Sequence, residues 1–581
     1  MRRIATIVLA AGLALAAYAQ PVTLGYRKIF PSFPVTKGGY PVEVTIRNEG
    51  DPVRGIVYIE IEQASVSAPF ELEKGARKVA VLYPSGGNPW IEAKLGAETD
   101  RGSVETTISS EAPENSALKY VVGVGDTPGI LSFLPKNAWV PATCSPQDAP
   151  QRAVGYRDVE FVVLGSGAER MKDSSVAALR NYVIGGGMVI FVGGTNTPLI
   201  NDPRWAGIMP VGLGRAVAVT PSAVDRAAFG IPPGRQVSIV EAPVSPGSTN
   251  VKGQDPAWFV SRRVGRGAVV FWACDPFEAN NRTWARRVGI IQESIDHVRK
   301  LAFQSRPASH EPWEDNYDRQ SGGDAFRLRL PDAKVVLGGL AVYGLLIVPL
   351  CLFGLNKLGR ASWAWVALPL ASIGFSALIG SAAQQVTRAE AAKATSGNLA
   401  FDSESESGYF TGRQEMFVPR AGPKDLRLQG VESLAPTIRQ QFELPTRSPW
   451  RGVVLDIGEI IVPRLDLPPL TFREFALNQV VPRPGSLQLA LVEGKLQLTN
   501  STPWKFSPGS LTQGSVVIVT PELGPKSTVT LKGNPRRAES ARFVYSAKTL
   551  DAPIGVGFLT ESPAASGADV TWTLDLTGGA E

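Results

Sequence analysis

The chain predicts a multidomain α/β plus β protein, and three patterns in its 581 residues carry that prediction. Hydrophobic residues alternate with period two over the first hundred positions. Continuous apolar strands then alternate with amphipathic helices to about residue 304, and strand patterning returns after 451. Glycine and proline number 59 and 46, a share above the usual ~12%, as turn-rich β proteins require. A net charge of +6 without a basic stripe gives nucleic acid no footprint. Two histidines in the whole chain nearly rule out a histidine-built metal centre, and no motif implies a cofactor.

Residues 1–19 read as a signal peptide. Arg2 and Arg3 precede an apolar run, and Ala17-Tyr18-Ala19 is a small-residue cleavage site placing Gln20 at the mature start. Residues 20–115 then read as an Ig-like β-sandwich. Val42, Val44 and Ile46 share one face of a strand, Val57, Ile59 and Ile61 repeat the pattern, and Asn48-Glu49-Gly50-Asp51 is the turn between them.

Residues 118–304 change to α/β patterning. Tyr120–Val124, Glu160–Leu164, Met188–Val192 and Ala268–Trp272 are buried-type strands. A helix capped by Asp173 or Ser174 carries Val176, Leu179 and Val183 on one face and stops at Gly185. A closing helix places Trp284, Val288, Ile291, Ile295 and Val298 at steps of four and three. The expected sheet is mainly parallel and Rossmann-like, of the flavodoxin-like kind.

A polar linker spans 305–333. Residues 335–355 and 361–383 are uncharged apolar stretches, each long enough to cross about 30 Å of hydrocarbon as a helix. Only Asn356-Lys357-Leu358-Gly359-Arg360 separates them, so the expectation is a two-helix transmembrane hairpin. Positive charges flank the hairpin as densely as they occupy its loop, so the signal peptide sets the orientation, with both large regions extracytoplasmic. Residues 384–450 are mixed, with Ser403–Gly408 reading as a solvated loop. Residues 451–581 read as a β-sandwich-like domain, from the alternation at Leu487, Leu489 and Leu491, its return at Leu496 and Leu498, and the last strand at Val570, Trp572, Leu574 and Leu576.

Val162-Val163-Leu164-Gly165-Ser166-Gly167, Asn181 to Gly187, Gly193-Gly194 and Gly265-Arg266-Gly267 through Asp275-Pro276 carry a resemblance. Together they resemble the class I glutamine amidotransferase-like fold, in a form found in exported bacterial membrane proteins of unknown function. Leu330-Pro331 through Tyr343 and Pro349 to Trp365 looks like the membrane hairpin of such proteins. The resemblance covers about half the chain and implies architecture more than activity. Amidotransferases carry a cysteine nucleophile on a strand-to-helix elbow and a distal histidine base. Here the matching strand end is Phe191-Val192-Gly193-Gly194-Thr195-Asn196, without sulfur. His297 and His310 follow no catalytic signature, so the domain reads as catalytically degenerate and the protein as no enzyme.

Asp126, Ser166, Thr195 and Asp275 each follow an apolar strand. Short polar residues at such positions either cap turns or line a ligand crevice beyond the strand ends. Cys144 and Cys274 both lie in the α/β region, where the compartment permits a disulfide; they are either bonded or two free thiols. Cys351 lies in the first apolar stretch.

These readings lead to a non-enzymatic scaffold or binding protein of the bacterial cell envelope, anchored by two spans in the cytoplasmic (inner) membrane. Its expected partners are the membrane and other envelope proteins or a surface polymer. Two alternatives stay open: an exported hydrolase or transferase with an unrecognised site in the α/β crevice, or an accessory subunit of an envelope transporter.

Overall fold

The computed structural model describes most of residues 22–297, helical stretches between 337 and 376, and the strands and turns between 392 and 577. The expected signal peptide (1–19), the linker (305–333), His310 and residues 384–391 lie outside the described residues.

Strands β1 (Val22–Lys28), β2 (Val42–Asn48), β3 (Val53–Ile61), β4 (Ala64–Leu72), β5 (Arg77–Leu82), β6 (Ala93–Thr99) and β7 (Gly102–Ile108) form two facing antiparallel sheets. One has the order β1-β2-β5, and the other contains β4-β3-β6-β7. The period-two faces meet as expected: Val42, Val44 and Ile46 pack with Val57, Ile59 and Ile61 in one core. Each such side chain fully buried contributes about 1.5–3 kcal/mol. The turn after β2 differs from a hairpin, because β2 and β3 belong to opposite sheets. Asn48 makes that crossing possible. Its buried amide donates to the Asp51 and Leu72 carbonyls at 2.8 and 3.1 Å, and its oxygen accepts the Gly50 N–H at 3.0 Å.

The next sheet comes from β8 (Lys119–Val124), β9 (Trp139–Cys144), β10 (Val159–Leu164), β11 (Met188–Val192), β14 (Ser248–Lys252), β15 (Phe259–Val264) and β16 (Gly267–Trp272). Strands β12 (Arg215–Val219) and β13 (Val237–Glu241) form a separate hairpin. The spatial order is β14-β15-β16-β11-β10-β8-β9. Strands β9, β8, β10, β11 and β16 run parallel, while β15 and β14 add antiparallel at one edge. Counted along the chain, the parallel strands are ordered 2-1-3-4-5, the flavodoxin-like arrangement.

Helices α1 (Pro128–Leu131), α2 (Asp173–Ile184), α3 (Thr197–Ile200) and α4 (Ala223–Phe229) accompany the sheet. Helix α2 matches the expected span, with Val176, Leu179 and Val183 buried. Its cap does not match: Lys172 is the N-cap and has no side-chain cap bond. The Ser174 hydroxyl instead reaches Gln151, and Ser175 donates to the Ala149 carbonyl at 2.8 Å. Of the expected closing helix, Val288, Ile291 and Val298 lie outside the described residues. Trp284 lies outside helix and packs in the core on one side of the sheet, whereas Ile295, within the helical residues 292–297, packs in the other.

The sandwich and the α/β sheet share a core. The β1–β2 connection sends Phe30, Phe33 and Tyr40 into the face that carries Tyr120, Tyr156 and Tyr182. Phe33 stacks edge-on against Tyr120 at 4.8 Å between centroids and tilts against Tyr40 at 4.7 Å. Tyr156 meets both Phe30, at 6.4 Å, and Tyr182, at 5.5 Å. Tyr182 donates to the Val159 carbonyl at 2.8 Å, but the Tyr40 and Tyr156 hydroxyls find no hydrogen-bond partner among the described residues.

Beyond this unit, helix α5 (Val348–Lys357) ends in a tight turn at Gly359, whose φ is +68°. The Arg360 N–H reaches the Leu355 carbonyl at 2.9 Å and the Gly359 N–H reaches Asn356 at 3.0 Å, the paired bonds of a Schellman stop. Tyr343 stacks on Phe375 at 4.7 Å, so the two apolar stretches lie against each other. The expected full-length spans are not seen: among the described residues no helix is long and apolar enough to cross a membrane.

Among the described residues from 392 onward, every regular element is a strand. This half contains β17 (Ala392–Asp402), β18 (Ser407–Val418), β19 (Gly422–Gln429), β20 (Val431–Pro436), β21 (Trp450–Val454), β22 (Glu459–Leu467) and β23 (Thr471–Pro482). These are followed by β24 (Leu487–Val492), β25 (Lys495–Asn500), β26 (Gly509–Gln513), β27 (Val516–Thr520), β28 (Ser527–Leu531), β29 (Ala541–Ala547), β30 (Ala568–Leu574) and β31 (Leu576–Thr577). The expected boundary at 451 is crossed, because one sheet runs β20-β23-β18-β17-β30-β29-β26-β27 and mixes strands from both sides of it. Ser407 and Gly408 begin β18, so the polar loop before them is shorter than the serine-glutamate run suggested. The hairpin of Leu487–Val492 with Lys495–Asn500 lies where its alternation places it. The expected last strand holds Val570, Trp572 and Leu574, but Leu576 begins β31, which pairs with β24 in another sheet.

Contacts among the described residues tie this half back to the first, two of them prominent. Strand β21 pairs parallel with β4, Trp450 against Ala64 through Val453 against Ser67, extending the sandwich sheet to β19-β22-β21-β4-β3-β6-β7. Tyr409 of β18 packs on the α/β core over Gly185, where any Cβ would come within 2.9 Å of the ring.

Phe33→Ala is expected to destabilise the protein by about 3–5 kcal/mol, because it empties a fully buried ring site shared by two units. Tyr40→Phe, which removes a buried hydroxyl without a partner, should be neutral or slightly stabilising. Urea unfolding of both variants checks the pair.

Candidate functional site

The carboxyl ends of β8, β9 and β10 surround a cleft of about 500 Å3, lined by Gly125, Asp126, Thr143–Pro146, Ser166, Gly167 and Arg170. Strand β8 is followed by a crossover to one side, to β9, and then by β10 on the other side. The loops diverge there, which is where open α/β sheets leave room for ligands. Backbone bonds hold the two main walls in register: Asp126 N–H donates to the Ser166 carbonyl at 2.9 Å, and Gly165 N–H to Val124 at 3.0 Å.

Of the four residues singled out from sequence, the cleft brings together Asp126 and Ser166, both exposed, and excludes Thr195 and Asp275. Thr195 is exposed beyond β11, and its carbonyl accepts the Thr197 N–H at 3.0 Å where α3 begins. Asp275 is a turn cap: its carboxylate accepts the Phe277 N–H at 2.8 Å, and its carbonyl accepts the Asn281 amide at 2.7 Å. Burial raises the Asp275 carboxyl above its ordinary value, with Glu278 and Asp126 adding to the rise against the Phe277 bond.

Sequence reading missed Arg170 and the Thr143–Pro146 wall. Arg170 lies in the short 3-10 turn Ala168–Arg170 after the Gly165-Ser166-Gly167 corner, a position no charge pattern marked. Its ion pair with Glu169 is loose, at 3.7 Å. The second wall is pinned from the sandwich. Arg27 on β1 donates to both Asp148 carboxylate oxygens at 3.0 and 3.1 Å and to Glu43 at 2.7 Å. Asp148 N–H in turn closes on the Ser145 carbonyl at 3.1 Å.

Cys144 and Cys274 do not form a disulfide; both are free and buried. They end β9 and follow β16, four strand spacings apart in the sheet. At ~4.8 Å per spacing that is about 19 Å, whereas a bridge needs Cα atoms within about 7 Å. Burial, with Asp148 adding, pushes the Cys144 thiol up to about 12, and burial likewise raises Cys274. Neither is a thiolate near neutrality, so neither supplies a nucleophile.

The turn after β11, where the sequence resemblance placed an elbow, is held by backbone bonds. Gly193 N–H and Gly194 N–H donate to the Trp272 and Ala273 carbonyls at 2.8 and 2.9 Å. His297 meets Ser261 at 3.4 Å, but Ser261 is 1% exposed within β15. No group of three or more potential ligands able to hold a metal occurs among the described residues. The cleft offers one carboxylate, one guanidinium and several hydroxyls, an arrangement suited to holding a polar ligand.

Two outcomes test this geometry. The Arg27 hydrogen bond holds the Asp148 carboxyl below its ordinary value. Its contribution is therefore present above the unfolded value of about 3.9 and is lost as pH falls through the lower folded value. Since both side chains are partly exposed, Asp148→Asn should cost no more than about 1 kcal/mol at pH 7 and less at pH 3, measured by urea unfolding at each pH. Alkylation in denaturant without reductant should label all three cysteines, whereas the native protein at pH 8 should leave Cys144 and Cys274 unlabelled.

No family model and no curated protein matches this chain. Among solved structures it is similar to two cytoplasmic proteins from Salmonella typhimurium, at 13% and 12% identity with TM-scores of 0.25 and 0.24. Each covers 31% of this chain and 99% of its own. The yeast delta-COP-I mu-homology domain covers 33% of this chain and 96% of its own, at 10% identity and a TM-score of 0.17. Likenesses this distant carry no functional argument.

Proposed function

We propose that the protein is a non-enzymatic scaffold or binding protein of the bacterial envelope, held at the cytoplasmic membrane by a two-helix hairpin with its large regions on the extracytoplasmic side. The observation that carries this reading is the β4–β21 pairing. Residues before and after the apolar hairpin share one hydrogen-bonded sheet, and no sheet continues through a bilayer by its open edge. An even number of crossings between them satisfies that constraint, and a hairpin supplies two.

The hairpin's surface supports the same reading. Ten of the eighteen large apolar side chains exposed among the described residues lie between Leu337 and Ile373, with Phe353 76% and Trp365 87% exposed. A water-facing segment that apolar would be a liability, whereas in hydrocarbon it is favourable. The Gly359 stop and the Tyr343–Phe375 stack bring the two stretches back on each other, as a re-entering pair requires.

The amidotransferase-like ancestry remains our reading of the glycine motifs and is compatible with the 2-1-3-4-5 order. The non-enzymatic assignment draws on the glycine-filled elbow and the buried, protonated thiols. Extracytoplasmic placement draws on the expected signal peptide.

Detergent phase partitioning and reporters fused at the C-terminus test the proposal. The full chain should enter the detergent phase, and an alkaline phosphatase fusion after Glu581 should be active. Val342→Lys with Ile373→Lys, at roughly 2.5–3.5 kcal/mol for each lysine near mid-membrane, should shift the chain out of the membrane fraction. An aqueous-phase protein or a cytosolic C-terminus would overturn the reading.

A further inference from the structure

We propose that the cleft between the β8 and β10 loops binds a small zwitterion carrying both an ammonium and a carboxylate, such as a free α-amino acid or short peptide. This goes beyond the envelope assignment and holds wherever the hairpin resides.

The inference starts from two opposite charges presented to one cavity by different loops. Asp126 comes from the loop after β8 and Arg170 from the turn after β10. Asp126 lies in an isolated bridge with Ser166, so backbone hydrogen bonding fixes the spacing of the two loops before any ligand arrives. The Asp126 carboxylate accepts no hydrogen bond and joins no ion pair among the described residues. Arg170 has only the loose 3.7 Å contact with its chain neighbour Glu169, and its side chain is 71% exposed. A carboxylate and a guanidinium in one cleft, neither used to neutralise the other, match a ligand that brings both complementary charges. The guanidinium fork suits the ligand's carboxylate and Asp126 suits its ammonium.

The remaining lining narrows the class. No aromatic side chain faces the cleft, so it offers no platform for a nucleobase or a sugar ring. Asp126 opposes a phosphate dianion. The Ser145 and Ser166 hydroxyls fit a peptide group or an α-carbon's polar substituents. The volume of about 500 Å3 lies toward the smaller end of ligand pockets, which run from roughly 300 to 1,000 Å3. A ligand with one charge would leave the other protein charge less well compensated in the occupied cleft, and that is the source of discrimination. With the Cys144 thiol protonated beneath it, the interaction is binding without covalent chemistry.

Isothermal titration of the full chain in detergent with L-alanyl-L-alanine tests the proposal, alongside its N-acetylated form, its C-terminal amide and inorganic phosphate. The free dipeptide should bind, and each blocked form should bind at least tenfold more weakly. Asp126→Asn should weaken the free dipeptide at least tenfold and abolish discrimination against the N-acetyl form. Arg170→Gln should do the same for the amide. Both residues are exposed, so neither change touches the core, and loss of one specific discrimination is not an effect that misfolding produces. No binding of the free dipeptide at millimolar concentration, equal binding of the blocked forms, or tighter binding of phosphate would each overturn the inference.

Discussion

The packing of Phe30, Phe33 and Tyr40 against the tyrosines of the α/β sheet is the constraint on which the first half of the structure depends. An open parallel sheet must cover both faces, and here the helices are few: α2 is the only one of ten or more residues accompanying the described part of that sheet. The missing cover comes from another unit, through a connection between two sandwich strands. Aromatic rings suit the task because each buries a large area with few rotatable bonds. The cost shows at Tyr40 and Tyr156, whose hydroxyls are buried without partners. The sandwich and the sheet are consequently one packed body, and Arg27 on the sandwich holds a turn that forms a wall of the cleft.

The cleft follows from topology before chemistry. Placing β8 between β9 and β10 makes the loops on either side of it part. Gly125 and Gly167, at φ +79° and +90°, let the backbone turn there, and a Cβ at Gly165 would run into the Asp126 carbonyl. Ser166 thereby serves as a corner residue and a lining residue at once. Gly193 and Gly194 likewise bond the turn after β11 into the end of β16 through their N–H groups.

Much of the α/β region was legible because continuous apolar strands and a single amphipathic helix leave few alternatives: Tyr120–Val124, Glu160–Leu164, Asp173–Ile184 and Met188–Val192 lie within a residue of their expected bounds. What stayed hidden was non-local. Nothing near Trp450 announces that it pairs with Ala64, and the long strands from Ala392 to Val418 alternate too irregularly to be read. The same holds at the site. Asp126 and Ser166 were visible as polar residues after strands, but Thr195 and Asp275 share that signature and only cap local turns. Arg170 joined the cleft by way of a 3-10 turn that no periodicity encodes. The cysteine pair failed on sheet order, a property that spacing along the chain does not contain.

The parallel contact between Trp450 and Ala64 joins residues separated by nearly four hundred positions, and it orders events during synthesis. Until β21 has been made, the outer edge of β4 presents unsatisfied amides to whatever strand drifts past. Closing so long a loop is entropically tolerable but kinetically late. The growing chain must therefore keep that edge shielded or soluble while everything between is produced, and a protein truncated before residue 450 would be left with an adhesive margin.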